Sequence, residues 1–413
     1  MATAYQAEPE FTDPLDVSRA DLYTNHLWHE PFARLRAEAP VYRCKDSKFG
    51  AYWSVTSHKA IQYVEALPDI YSSSWENGGI TIVDRDEMEN DIQLPMFIAM
   101  DRPKHTDQRR TVAPAFTPSE MVRIATEIRT RTGETLDSLP WGETFDWVDK
   151  VSIELTTGML AILFDFPWED RRKLTFWSDW AGDIELAADH ARREERMGYL
   201  YEMGAYFQKL WDERVDKEPT PDLISMMIHS EAMKDMGQME FMGNLILLIV
   251  GGNDTTRNTM SGIVYSLDKY PEQRAMLEAD PSLIANAASE FIRWQTPLAH
   301  MRRTALEDTV LEGVHIKKGD KVVLWYISAN RDESVFPDAE SLILKRENAR
   351  RHLSFGYGIH RCVGARLAEL QVQILLEEIA KRRMRVNLVG APERVSQCFV
   401  NGYRSMQVSL SKY

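Results

Sequence analysis

Cysteine is scarce: Cys44, Cys362 and Cys398 are the only three in 413 residues. Three thiols cannot build a disulfide framework, and the odd count suits a reducing compartment. Long apolar runs are missing as well. The longest, Leu245–Val250 (LILLIV), falls far short of the about 20 residues that span a bilayer, so no membrane span is expected. The opening residues MATAYQAEPEFTDPLD are acidic and carry no apolar stretch, so no signal peptide is expected and the predicted location is cytoplasmic. Excess positive charge is also absent. With 49 basic and 63 acidic residues the net charge is −14, which argues against a broad nucleic-acid footprint. It leaves room for a local basic patch facing an acidic partner.

What is present is ordinary in bulk: 44% hydrophobic and 27% charged, as in globular proteins. No repeat, low-complexity linker or domain boundary stands out, so 1–413 reads as a single domain with residues 1–20 a loose arm. Short strands are predicted at Val41–Arg43 and Ala51–Val55, and residues 74–102 read as irregular. The section 104–300 is mostly helical by apolar spacing. Strands follow at Thr309–Leu311, Val314–Ile316 and Lys321–Ile327, separated by the turns Glu312-Gly313 and Lys318-Gly319-Asp320. Val363, Leu367, Leu370 and Ile374 keep helical spacing, and Met406, Val408 and Leu410 alternate as one strand face. The expected class is mainly α with small peripheral β-sheets.

The most informative segment is Phe355-Gly356-Tyr357-Gly358-Ile359-His360-Arg361-Cys362-Val363-Gly364. Its cysteine sits where a loop turns into a helix, a place where unpaired N–H groups favour thiolate. Two glycines before it allow a sharp turn. A small buried hydrophobe is the alternative role for a lone cysteine. Zinc is not expected, because no second cysteine or histidine pair has suitable spacing. Three further patterns stand out. Glu290-Phe291-Ile292-Arg293 sets opposite charges one helical turn apart, which also suits an exposed ion pair worth under about 1 kcal/mol. Gly251-Gly252-Asn253-Asp254-Thr255-Thr256 lies within a helix from about Met239 to Lys269. Adjacent glycines there invite either a local break or close helix packing. His105 and Arg109, at i and i+4, share one helical face.

The cysteine segment resembles the haem-thiolate signature of the cytochrome P450 family, with Phe355, Gly358, His360, Cys362 and Gly364 at every fixed position. The three other patterns match that family in the expected order. The resemblance implies a P450 fold in which haem lies between the long oxygen-activating helix and the cysteine-loop helix. It implies haem b (iron protoporphyrin IX), with Cys362 as axial iron ligand and thiolate favouring O–O cleavage. Asp254 and Thr255 take the positions of the oxygen-activating acid and alcohol. His105, Arg109, Arg303 and His360 match propionate donors, and Phe355 belongs to the cofactor loop. Glu290, Arg293 and Arg346 match a buried trio that holds that loop in place.

The implied reaction is monooxygenation, hydroxylating an unactivated C–H bond with O2 and two electrons. The partners would be a small acidic 2Fe–2S ferredoxin and its reductase, the protein itself being a monomer. Arg350, Arg351, Arg361, Arg366, Arg382 and Arg383 cluster in sequence near the cysteine loop, either as a solvated charge run or as a docking face. Substrate contacts are expected at Met96, Leu247, Leu248, Val250, Gly251, Leu298, Met301, Phe399 and Val400, an apolar set that implies a hydrophobic small molecule. Leu94–His105, Gly251–Asn258 and Arg293–Ala305 are similar to bacterial alkane and fatty-acid terminal hydroxylases, although Arg102 stands where many relatives have proline. A monoterpene hydroxylase is the second reading. A haem-based sensor would not need Asp254 and Thr255, and a peroxide-driven peroxygenase would usually replace them with an arginine-based arrangement.

Overall fold

A computed structural model describes residues 12–84, 94–187 and 189–413. Helices dominate, and one of them organises the rest. The central helix Gln238–Lys269 runs 32 residues, about 48 Å at 1.5 Å per residue. It is buried on most sides, apolar along its N-terminal half and with paired polar side chains such as Asn253, Asp254, Arg257 and Asn258 buried further on. Helices Glu154–Phe164, Arg172–Gly182, Ile284–Gln295 and Ala365–Lys381 pack against it. Phe164, Leu174, Trp177, Leu245 and Ile249 share the core cluster on its N-terminal half. Each such buried side chain contributes roughly 1.5–3 kcal/mol or more.

A five-stranded mixed sheet lies to one side. Its order is Val41–Cys44, Tyr52–Val55, Lys321–Trp325, His300–Ala305, Tyr71–Ser72. Tyr52–Val55 and Lys321–Trp325 pair in parallel, and the other neighbours are antiparallel. Val323 and Trp325 face one apolar cluster while Val322 and Leu324 face another, so the middle strand is buried on both faces. The tail strand Gln407–Lys412 pairs with Met384–Leu388 and buries Val408 and Leu410, the alternation expected from sequence.

Three expectations need correction. The run Lys321–Ile327 is a strand only to Trp325, and Tyr326–Ala329 is a helical turn. Every residue of that run is buried, so no alternation marks where the strand stops. Residues 12–19 are not a loose arm: Leu15 and Val17 are buried. Their acidic neighbours turn inward, Asp13 accepting from Tyr42 at 2.9 Å and Asp16 from Tyr52 at 3.0 Å. Residues 1–11 lie outside the described part. Third, the central helix continues through Gly251–Thr256 as unbroken α-helix. Side chains reinforce its carbonyls there: Thr255 Oγ1 donates to Gly251 O at 2.9 Å, and Asn258 Nδ2 to Asp254 O at 2.8 Å.

Glu340 links the N-terminal region to the segment after the sheet. His29 Nδ1 bonds its Oε2 at 2.7 Å, and Arg331 Nε stands 3.4 Å from the same oxygen. Burial opposes the carboxylate charge, but the His29 bond and the Arg331 and Arg36 charges outweigh it and hold the carboxyl down at about 2. A depressed carboxyl stabilises the fold above its unfolded value of about 4.5. That contribution fades as pH falls toward 2. Thermal melts of Glu340→Gln are therefore expected to lie below wild type at pH 7, with the gap closing between about pH 4.5 and 2. A gap independent of pH would assign the loss to packing instead.

Candidate functional site

The cysteine loop enters helix Ala365–Lys381 through a short turn at Gly358–His360. Gly356 and Gly358 both sit at φ +66°, in the left-handed region. A Cβ on Gly358 would lie 2.2 Å from the carbonyl oxygen of Glu65, so helix His58–Ala66 touches this turn backbone to backbone. The Cys362 amide donates to Phe355 O at 2.7 Å, which closes the loop. Phe355 is half-buried, with the His352 ring 5.2 Å away and the Arg361 guanidinium 5.9 Å over its face.

Cys362 is exposed, yet desolvation is the strongest influence on its thiol and pushes its pKa up. The two facts agree if the sulfur faces a recess walled by protein rather than open solvent. The Gly364 amide and the Arg109 and Arg361 charges pull the other way without prevailing. The amide at the helix end favours the anion, as the reading from sequence expects, but burial opposes it more strongly. A bound metal would remove the proton outright. Cys44 and Cys398 are buried, and burial pushes both thiols up.

Helix Lys104–Val112 brings His105 beside the loop, its ring 4.2 Å from that of His360. All four ring nitrogens of this pair are buried without a hydrogen-bond partner among the described residues. Burial, reinforced by Arg109, lowers His105 to about 4; burial and the Arg303 charge push His360 lower still. Both are neutral at pH 7, so each offers one N–H and one acceptor. Leaving buried donors unpaired costs about 1–3 kcal/mol each, which marks a place made for an acceptor ligand. Arg109 is half-buried beside them and donates to Arg361 O. Arg303 is already engaged: Nη2 donates to Glu65 Oε1 at 3.1 Å and Nη1 to Arg302 O at 2.7 Å. Two neutral imidazoles with two guanidinium groups suit the two carboxylates of haem. The residues present fit that cofactor.

On the central helix, Leu247, Gly251 and Thr255 recur every four residues and stay half-exposed or exposed, with Val250 and Gly252 beside them, while most of their neighbours are buried. The helix therefore leaves one apolar stripe, ending in a hydroxyl, accessible. The two glycines divide their roles. A Cβ on Gly252 would meet Leu160 Cδ2 at 2.8 Å, whereas one on Gly251 would meet nothing within 4 Å. Only Gly252 serves close helix packing. Leu248 leaves the stripe and is buried in the core cluster.

Asp254 points away from the stripe, toward helix Arg172–Gly182. Its Oδ1 accepts from Ser178 Oγ at 3.1 Å, Asn253 Nδ2 at 3.2 Å and Arg257 Nη2 at 2.9 Å. Arg257 Nη1 reaches on to Asp179 Oδ1 at 2.8 Å, and the Asp179 side chain is 52% exposed. Burial raises the Asp254 carboxyl to about 6 even though the Arg257 charge opposes the shift. A polar line thus runs from surface to buried acid, and Arg257 and Asp179 are members that the sequence motif does not reveal.

Glu290, Arg293 and Arg346 form a buried ionic trio. Arg293 contacts both Glu290 oxygens at 2.8 Å, and Arg346 Nε does so at 3.1 Å. The exposed-pair alternative is excluded by its complete burial. Arg293 also donates to Asn330 O and Ala339 O at 2.7 Å. Asn330 in turn holds Ser354 Oγ at 2.8 Å and the Leu353 amide at 2.7 Å. The trio thereby braces the approach to the cysteine loop; removing one partner of such a pair costs roughly 3–5 kcal/mol.

The remaining candidates converge in part. Leu298 and Val400 form a β-bridge, and Ala299 N donates to Phe399 O at 2.8 Å. Met96, Leu298 and Met301 are half-buried, while Phe399 and Val400 are buried. Phe97 N bonds Asn244 Oδ1 at 2.9 Å, fixing the Leu94–Met100 segment across the central helix. A recess of about 690 Å³ between helices Pro118–Asp137 and Glu154–Phe164 contains none of the motif residues.

The family model for cytochrome P450 matches residues 142–382. In solved structures the chain is similar to CYP153D17 from Sphingomonas sp. PAMC 26605, 68% identical with TM-score 0.92, covering 97% of this chain and 100% of that one. It is 37% identical to a linalool 8-monooxygenase of Pseudomonas putida, over 96% of this chain and 98% of the relative. It is 33% identical to a methyl-branched lipid omega-hydroxylase of Mycobacterium tuberculosis, over the full length of both. With the signature loop, the braced trio and the cofactor-ready histidine pair, these likenesses place the chain in the cytochrome P450 family, monooxygenases that carry haem b.

Proposed function

We propose that the protein hydroxylates the terminal carbon of a medium-chain alkane or fatty acid. The observation that carries this reading is the apolar stripe Leu247, Val250, Gly251, interrupted only by the Thr255 hydroxyl. Bound haem, held through Cys362 and by His105, Arg109, Arg303, His360 and the Phe355 loop, supplies oxygen activation and insertion. The chain's own residues do the rest. Gly251 leaves room beside the reacting centre, and Leu247 and Val250 exclude water from it. Met96, Leu298, Met301, Phe399 and Val400 shape an apolar passage that orients a chain end. Thr255 holds a proton donor at the stripe, and Asp254 is the acid that supplies it with protons, held in place by Arg257, which keeps its own proton.

Electrons are proposed to come from a 2Fe–2S ferredoxin and its reductase. Arg350, Arg351, Arg361 and Arg366 are exposed around the cysteine loop and would steer an acidic partner. Arg382 does not belong to that face, because it is bound to Asp137 and Glu378.

The likeness to a linalool 8-monooxygenase favours monoterpene hydroxylation as a second reading. Titrating linear C6–C16 alkanes, fatty acids and monoterpenes, scored by the low- to high-spin change and then by products, separates the two. Terminal alcohols from linear chains are expected. Turnover confined to monoterpenes would reverse the order of the two readings.

A further inference from the structure

Glu65 lies on the inward face of helix His58–Ala66, one turn after the buried Ile61. Its side chain is 1% exposed. One oxygen, Oε1, receives both Arg303 Nη2 at 3.1 Å and Tyr326 Oη at 2.6 Å. The other oxygen, Oε2, is buried without a hydrogen-bond partner among the described residues. Gly356 leaves only about a side-chain contact distance here, its would-be Cβ lying 3.4 Å from Oε1. A single buried carboxylate therefore meets a strand, the turn after the sheet and the cysteine loop at once. Burying a charge this completely is unfavourable unless it is paired: burial pushes the Glu65 carboxyl up, and the Arg303 charge opposes it, the one charged partner among the described residues.

We infer that Glu65 is a positioning residue that fixes Arg303 and offsets part of its charge, setting how much positive potential the cofactor experiences. The inference rests on Arg303 serving as a propionate donor. Arg303 has a rigid fork: with Nη2 committed to Glu65 and Nη1 to the Arg302 carbonyl, its plane is fixed before any ligand arrives. A fixed cation keeps its distance to the ligand and acts at full strength, while a mobile one would not. Removing the carboxylate charge would leave Arg303 uncompensated and make ferric iron easier to reduce.

A double-mutant cycle on the haem-loaded protein tests this: wild type, Glu65→Gln, Arg303→Gln and the double variant, each titrated for its ferric/ferrous midpoint. The carbon monoxide complex checks that thiolate ligation is intact in each. Glu65→Gln is expected to raise the ferrous-to-ferric ratio at fixed potential on the order of tenfold, about 59 mV for one electron. Arg303→Gln should lower it, and the double variant should return near wild type. Glu65→Asp, which keeps the charge, should stay close to wild type. If Arg303→Gln shifts the midpoint but Glu65→Gln does not, Glu65 merely packs and the inference fails alone. If Arg303→Gln changes neither midpoint nor haem retention, the propionate reading of Arg303 fails with it. Should Glu65→Gln not fold, Arg303→Gln against the double variant reads the same charge; equal midpoints there overturn the inference.

Discussion

Cys362→Ala is expected to yield a folded protein whose ferrous carbon monoxide complex lacks the thiolate band and whose turnover is lost. The fold should survive because the loop is closed by the Cys362 amide and Phe355 carbonyl, which alanine retains. An exposed side chain trimmed to a methyl group costs little, within about 0.5 kcal/mol. Neither other cysteine can replace it: Cys44 and Cys398 are buried with their thiols pushed up. Absorption of the reduced, carbon monoxide-treated protein and a circular dichroism melt decide the matter together. A surviving thiolate band would mean that another sulfur binds iron, and the functional assignment of this loop would fall.

Thr255→Ala should leave cofactor and substrate binding intact while lowering product formed per NADH about tenfold or more, the missing electrons appearing as peroxide. The hydroxyl donates only to the Gly251 carbonyl of its own helix and lines the exposed stripe, so its loss creates no buried unsatisfied group of consequence. Uncoupling with normal NADH consumption is the expected signature. Asp254→Asn should behave differently. It removes the acid itself and the charge that holds Arg257 against it, so the overall rate should fall on the order of 10²-fold. Parallel assays of NADH, product and peroxide distinguish the two. Thr255→Ala with unchanged coupling would remove the hydroxyl from the proton path.

Much of the site was legible because its constraints are local. Gly358 must be glycine for its own φ, Cys362 sits four residues later, and Glu290 meets Arg293 one turn away. Such spacing survives in a linear string. What escaped depends on partners distant in sequence. Glu65 carries no motif, and only its place one turn beyond Ile61 on an apolar face hints at burial. Arg303 matches a propionate donor by position, but its pairing with Glu65 comes from a strand and a helix that meet only in the fold. The continuity of the central helix was hidden too. Glycine pairs weaken an isolated helix, yet here Leu160 closes on Gly252 and side chains bind the exposed carbonyls. Arg382 shows the reverse error, since a sequence cluster of arginines need not share a surface.

The close approach of Gly358 to the Glu65 carbonyl has a bearing on biogenesis. The turn that leads to Cys362, the proposed iron ligand, is walled by a segment made almost three hundred residues earlier. On a ribosome, helix His58–Ala66 must wait for most of the chain to emerge before its partner exists, so cofactor capture belongs to the last stage of maturation. Rearranged versions of this gene product should then load iron porphyrin only when those two distant pieces are supplied together, whichever order the chain delivers them.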